Sequence, residues 1–216
     1  MDPQKLLDCQ SSYDRIAEEY TSRIAGELEQ KPLDRMLLDE FAARVKRAGR
    51  VCGLGCGPGH VTRYLHDRGV DVFGIDLSPG MLEQARKLNP AIEFQQGNML
   101  ALGVEDGAWA AIVAFYSIVH IPRTDILQAF REMFRALKPD GLLFLAFHIG
   151  LEVLREENLW GHQVSLDLVF YARKEVERYL GLAGFAIEDS LERDPYAPEV
   201  EYQSRRAYIR ARKPAP

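Results

Sequence analysis

Nine residues constrain this chain more than any others: Val51-Cys52-Gly53-Leu54-Gly55-Cys56-Gly57-Pro58-Gly59, an apolar run that opens into alternate glycines. A tight turn between strand and helix needs such residues where backbone must approach a ligand with no Cβ in the way. The nicotinamide fingerprint G-x-G-x-x-G/A does not fit. Counted from Gly53 its third glycine falls on Pro58, and counted from Gly55 it falls on His60. The phosphate loop G-x-x-x-x-G-K-[ST] is absent too. The run therefore opens a shelf without building a pyrophosphate cradle. Asp76 follows 21 positions after Gly55, at the end of the next expected strand. A carboxylate there can accept both hydroxyls of a ribose. The plainer reading of Asp76 is a helix N-cap near Ser78, and that of the glycines a turn without a ligand.

The flanking pattern alternates helix and strand. Tyr13, Ile16, Ala17, Tyr20 and Ile24 recur at three and four, predicting a helix over about 12–25. Leu33, Met36, Leu37, Phe41 and Val45 predict a second over about 33–48. Strands are expected at 51–54, 70–75, 92–95, 109–116 and 142–147, with helices over 60–67, 78–88 and 125–137. Ser78 is read as an N-cap with Pro79 in the first turn, and Pro139-Asp140-Gly141 as a turn closing the helix before it. Apolar strands between amphipathic helices argue for a parallel sheet covered on both faces. The tail differs: a helix over about 172–183, closed by Gly184, precedes two strands at 185–192 and 203–212. Strands joined without a helix pair antiparallel. The fold class expected is α/β, a Rossmann-like three-layer α/β/α sandwich whose mostly parallel seven-stranded sheet ends in an antiparallel hairpin. The 216 residues make one domain, with N-terminal lid helices over about 1–48 and an insertion over about 149–171.

Composition removes several function classes. The net charge is -5, and the Arg205, Arg206, Arg210, Arg212, Lys213 stretch alternates like a solvated strand face, so no nucleic-acid partner is expected. No apolar run nears the roughly 20 residues a bilayer span requires, and the first residues lack a signal peptide's basic and apolar regions. Three cysteines, Cys9, Cys52 and Cys56, form neither a disulfide framework nor a zinc spacing. A cytoplasmic protein, monomer or homodimer, without membrane or metal partner, is the expectation.

Residues 51–59 resemble the first motif of the class I S-adenosylmethionine-dependent methyltransferases, an acid followed by L-G-C-G-x-G. Gly74 to Ala85 resembles the second motif, Gln96-Gly97-Asn98-Met99 the third, and Val113 to Pro122 and Leu137 to Leu142 the later landmarks. The resemblance implies S-adenosylmethionine as cofactor. By position, Gly53, Gly55 and Gly57 belong to the loop under its methionine part, Asp76 to the ribose and Leu77 to the adenine. Asn98 would accept from the adenine amine and Met99 donate a backbone N–H. Phe115 and Tyr116 would lie by the sulfonium, and Tyr13 and Tyr20 match the lid tyrosines. Two departures stand out: Gly53 replaces the acid that partners the cofactor's ammonium, and Asn98 replaces an aspartate. Both predict weaker donor affinity, with Gly53→Asp expected to tighten it.

The implied activity is methyl transfer to a small-molecule acceptor. A general base is needed only if that acceptor loses a proton during attack. His120, after the fourth strand, and His148, after the fifth, are the candidates; a turn histidine bonding backbone is the plainer reading of His120. Phe115-Tyr116-Ser117-Ile118 lacks the Asn/Asp-Pro-Pro-aromatic pattern of nucleic-acid amino methyltransferases. Trp160, His162, Asp167, Phe170 and Tyr171 in the insertion suggest a partly apolar acceptor pocket. The alternatives are a binding protein that has lost catalysis and, further off, a nicotinamide oxidoreductase.

Overall fold

The computed structural model describes residues 1–215. Helix α1 (Pro3–Ile24) leads through a 3-10 turn (Glu27–Gln30) to α2 (Pro32–Val45). Then come β1 (Val51–Leu54), α3 (His60–His66), β2 (Val72–Asp76), α4 (Pro79–Leu88), β3 (Phe94–Gln96), β4 (Trp109–Phe115) and α5 (Ile126–Ala136). The chain continues with β5 (Leu137–His148), β6 (Val153–Leu159), β7 (His162–Val169), α6 (Arg173–Ala183), β8 (Ala186–Arg193) and β9 (Arg206–Arg212). Seven strands form one sheet in the order β3-β2-β1-β4-β5-β9-β8. β1 pairs parallel with both β2 and β4, whereas β9 runs antiparallel to β5 and to β8. The expected architecture is present, hairpin included.

Local chemistry explains the boundaries. β4 is buried through Ala114 because helices cover both faces of the central strands. Ser78 caps α4, its Oγ accepting from Met81 N–H at 3.0 Å, with Pro79 as first helical residue. Gly184 ends α6 in the left-handed conformation that a Cβ disfavours. On α5, Ile126, Ala129, Phe130, Met133 and Ala136 form one buried stripe against the sheet.

Three details differ from the sequence expectation. α1 begins at Pro3, about nine residues earlier than the first helix was expected to start, capped by Asp2 accepting from Gln4 N–H. Pro139-Asp140-Gly141 is drawn into β5 as a bulge: Trp109 pairs with Leu137 but Ala111 with Leu142, and Asp140 N–H reaches Lys213 O at 2.9 Å. Residues 149–171 hold two strands, not one. β6 and β7 form a separate hairpin whose turn, Trp160-Gly161, has positive φ at both residues, 52° and 87°. Val164 and Leu166 of β7 pack with Ile16 and Ala17 of α1 and Met81 of α4. The hairpin thereby holds α1 against the sheet's carboxyl edge. No helix among the described residues is long and apolar enough to cross a membrane.

Candidate functional site

The strand order reverses between β1 and β4, and open α/β sheets bind ligands at such a switch point, outside the carboxyl ends of the strands. A cleft of about 890 Å3, part of it open to solvent, lies there. Its floor comes from the carboxyl end of each strand and the residues just past it: Leu54 to Pro58 at β1, Asp76 to Ser78 at β2, Gly97 to Met99 after β3, Phe115 to Ser117 at β4. α1 forms the roof with Leu6, Cys9, Gln10, Tyr13 and Tyr20.

The loop after β1 carries φ values of +67°, +52° and +80° at Gly55, Gly57 and Gly59, conformations that side chains resist. A Cβ on Gly55 would lie 2.3 Å from that of Ser117, so the loop is pressed onto the end of β4. Asp76 sits at the mouth of β2. Its carboxylate accepts from Gly57 N–H at 2.8 Å and Ser78 N–H at 2.9 Å. Burial raises its pKa, opposed by those bonds, and spare lone pairs remain on both oxygens. The N-cap of α4 is Ser78, so the plainer role considered for Asp76 is filled by its neighbour. Asn98 and Met99 line the far end, and Asn98 Oδ1 closes a turn on Leu100 N–H at 2.9 Å. Ser117 Oγ and His60 Nδ1 are buried at the cleft without hydrogen-bond partners.

Gly53 stands apart. It lies inside β1, one residue behind the cleft lining, and a Cβ there would lie 2.6 Å from Thr62 Oγ1. That buried hydroxyl has no partner. An aspartate at 53 must therefore displace the Thr62 hydroxyl, a cost set against any gain in donor binding. We expect Gly53→Asp to cost about 1–3 kcal/mol of stability as overpacking, read as a lower Tm. Adding Thr62→Ala should restore most of it; an unchanged Tm in the single variant would contradict this geometry.

The two histidines are in different places. His120 lines the cleft. Its Nδ1 lies 2.9 Å from Asp167 O, which only accepts, so Nδ1 carries the proton and Nε2 accepts from Tyr13 Oη at 2.7 Å. Burial lowers the His120 pKa and raises that of Tyr13 well above its usual value, keeping both neutral. Its backbone partner lies on β7, 47 residues away, rather than in its own turn, and the other nitrogen is turned to Tyr13. His148 is not in the cleft lining; it lies behind Tyr116, stacked on Phe170 at 5.3 Å, with Nδ1 on Ser204 Oγ at 2.8 Å. Burial, with Arg206 and Lys31 nearby, holds it down to about 3.

Tyr116, with φ +54°, separates the cleft from a buried ionic network. Its hydroxyl donates to Asp34 at 3.2 Å and meets Tyr208 Oη. Arg193 bonds Asp34, Tyr208 and Glu201, and Arg206 lies by Glu201. The sequence reading missed this network, together with Leu6, Cys9, His60 and Ser117. Leu6 and Cys9 carry the Tyr13-Ile16-Ala17-Tyr20 stripe two turns upstream, and that spacing was the available signal.

Residues 51–141 match the family described as methyltransferase domain. Among curated relatives, malonyl-[acyl-carrier protein] O-methyltransferase of Enterobacter lignolyticus (strain SCF1) is 34% identical over 114 residues, 51% of this chain and 44% of that one. The demethylmenaquinone methyltransferase of Lactococcus lactis subsp. lactis (strain IL1403) is 35% identical over 113 residues, 46% of this chain and 44% of that one. The matched stretch, from β1 into β5, is similar to a methyltransferase domain. The fold agrees: a solved S-adenosylmethionine-dependent methyltransferase from Methanosarcina mazei superposes with a TM-score of 0.70 at 17% identity, covering 77% of this chain and 93% of that one. The chain spans about half the length of the curated relatives it matches.

Proposed function

We propose that this chain transfers the methyl group of S-adenosylmethionine to a small-molecule acceptor. One observation carries the reading: a single cleft holds the glycine shelf, the Asp76 carboxylate and the Tyr13–His120 pair. In this reading Asp76 takes the ribose hydroxyls and Leu77, Asn98 and Met99 border the adenine. Gly55 and Gly57 leave room for the methionine part, with Phe115, Tyr116 and the unpartnered Ser117 hydroxyl beside it. Tyr20 and Tyr13 close from α1. The spare lone pair on Asn98 Oδ1 suits an amine donor.

When bound, the cofactor supplies an electrophilic methyl on a sulfonium, open to in-line attack by an acceptor nucleophile. The chain's part is to hold donor and acceptor in line and exclude water. Where the acceptor must lose a proton, Tyr13 Oη takes it while its own proton moves to His120 Nε2. The Asp167 carbonyl favours the resulting imidazolium through Nδ1–H. His120 is preferred to His148 because it alone of the two lines the cleft. The acceptor end carries Leu6, Cys9 and Ile121, which favours a partly apolar acceptor. The net charge of -5 argues against a nucleic-acid substrate.

The test is turnover. Purified protein, S-adenosylmethionine and a small-molecule extract should yield S-adenosylhomocysteine and an extract component heavier by one methyl, read by mass spectrometry. His120→Asn should lower the rate about 100-fold with little change in donor affinity. Donor binding without S-adenosylhomocysteine formation would overturn the activity in favour of a binding protein, the reading that Gly53 supports.

A further inference from the structure

The amino-acid end of S-adenosylmethionine is a zwitterion, and its ammonium needs an acceptor. Position 53 supplies none: Gly53 has no side chain, and Thr62 fills the space an acid would enter. Another acceptor stands on the cleft wall. His60, first residue of α3 directly after the glycine loop, lines the cleft with Tyr20 and Gly57. Its Nε2 lies 3.0 Å from Glu27 Oε1, and its Nδ1 is buried without a partner. Glu27 comes from the 3-10 turn between α1 and α2 and is bonded by Lys31 Nζ at 2.6 Å.

We propose that His60, oriented by Glu27, receives the cofactor's ammonium in place of the missing acid. The proposal rests on the cofactor reading above. The tautomer follows from the partners. A carboxylate only accepts, so Nε2 carries the proton and the Nδ1 lone pair is left to accept. In the neutral ring this arrangement offers an acceptor, which suits N–H donors and not the cofactor's carboxylate. Burial pushes Glu27 up, but its interactions with His60 and Lys31 bring it down to about 2. Glu27 is a positioning residue: it fixes which nitrogen of His60 is free. With the ribose on Asp76 and the adenine by Asn98 and Met99, the methionine part is left to the Gly55–Gly57 loop, which His60 closely follows and beside which it lines the cleft.

Calorimetric titration with four ligands tests this directly. His60→Ala should weaken S-adenosylmethionine, S-adenosylhomocysteine and decarboxylated S-adenosylmethionine by about 10-fold each. Binding of 5′-methylthioadenosine, which lacks the amino-acid part, should be unchanged. Glu27→Gln should weaken the same three ligands by a smaller factor and also spare methylthioadenosine. Equal loss for methylthioadenosine would overturn the proposal, because His60 would then act on the fold. Loss for S-adenosylmethionine but not for its decarboxylated form would overturn it in favour of a carboxylate contact. No loss for any ligand overturns it outright. If none of the four binds the unaltered protein, the cofactor reading itself fails, a distinct result.

Discussion

Asp76→Ala is expected to lower affinity for S-adenosylmethionine by about 100-fold, the largest loss from any single cleft side chain. Two hydrogen bonds from ribose hydroxyls to a carboxylate contribute about 1.5–3 kcal/mol each, and they do not sum fully. A net loss of about 3 kcal/mol is roughly 150-fold in Kd. The carboxylate also receives Gly57 N–H and Ser78 N–H, so truncation releases two backbone donors and loosens the glycine loop as well. Asp76→Asn separates the two effects, since it keeps a neutral acceptor for part of this set and should fall between. Burial holds the Asp76 pKa above the usual carboxylate value, so donor affinity should start to fall at a higher pH than an exposed aspartate would give. Calorimetry of the three proteins checks the order; equal affinity for all three would remove Asp76 from the site.

Arg193→Met is expected to be the most destabilising substitution. Arg193 joins α2 to the closing hairpin: it meets Asp34 Oδ2 at 3.1 Å, Glu201 through two nitrogens and Tyr208 Oη at 2.9 Å. Asp34 is fully buried and the Glu201 side chain is 2% exposed, so removing the guanidinium leaves two carboxylates short of a partner. Breaking a buried pair from one side costs about 3–5 kcal/mol, or about 6–20 °C in Tm for a chain of this size. Denaturant melts check it, and a change below about 1 kcal/mol would show that water reaches the network.

The same region sets the acid limit of the fold. Burial raises Glu201, but Arg193, Tyr196 N–H and Arg206 bring it down to about 2. Its folded pKa is depressed from 4.5, so its stabilisation is full above 4.5 and is lost as pH falls toward 2. His148, held down to about 3 from 6.5, stays neutral in the fold while the unfolded chain takes up a proton below 6.5. Stability should therefore begin to fall below pH 6.5 and fall further below 4.5. His148→Gln should flatten the upper segment only.

The fold was legible because its signals are local and repeated. Apolar runs such as Trp109 to Phe115, the Ser78-Pro79 cap and the Gly184 stop each follow from nearest-neighbour chemistry. The shelf and Asp76 were legible as a site because both lie at strand ends, where spacing along the chain maps onto spacing in space. β6 escaped notice because Val153 to Leu159 alternates poorly: no residue of it is fully buried, and the strand is held by pairing with β7. The His60–Glu27 pair was hidden because 33 residues separate its members. Gly53 was read as a vacancy since sequence alone does not show Thr62 filling it. His120 and His148 looked alike for the same reason: each follows a strand, but Tyr116 covers only the second.

One titration bears on the central claim more directly than any other: calorimetry of the unaltered protein with S-adenosylmethionine and, separately, with NAD. Saturable one-site binding of the methyl donor, with no heat from NAD, is the predicted result. No binding of the donor, or tighter binding of NAD, would contradict the assignment of this cleft.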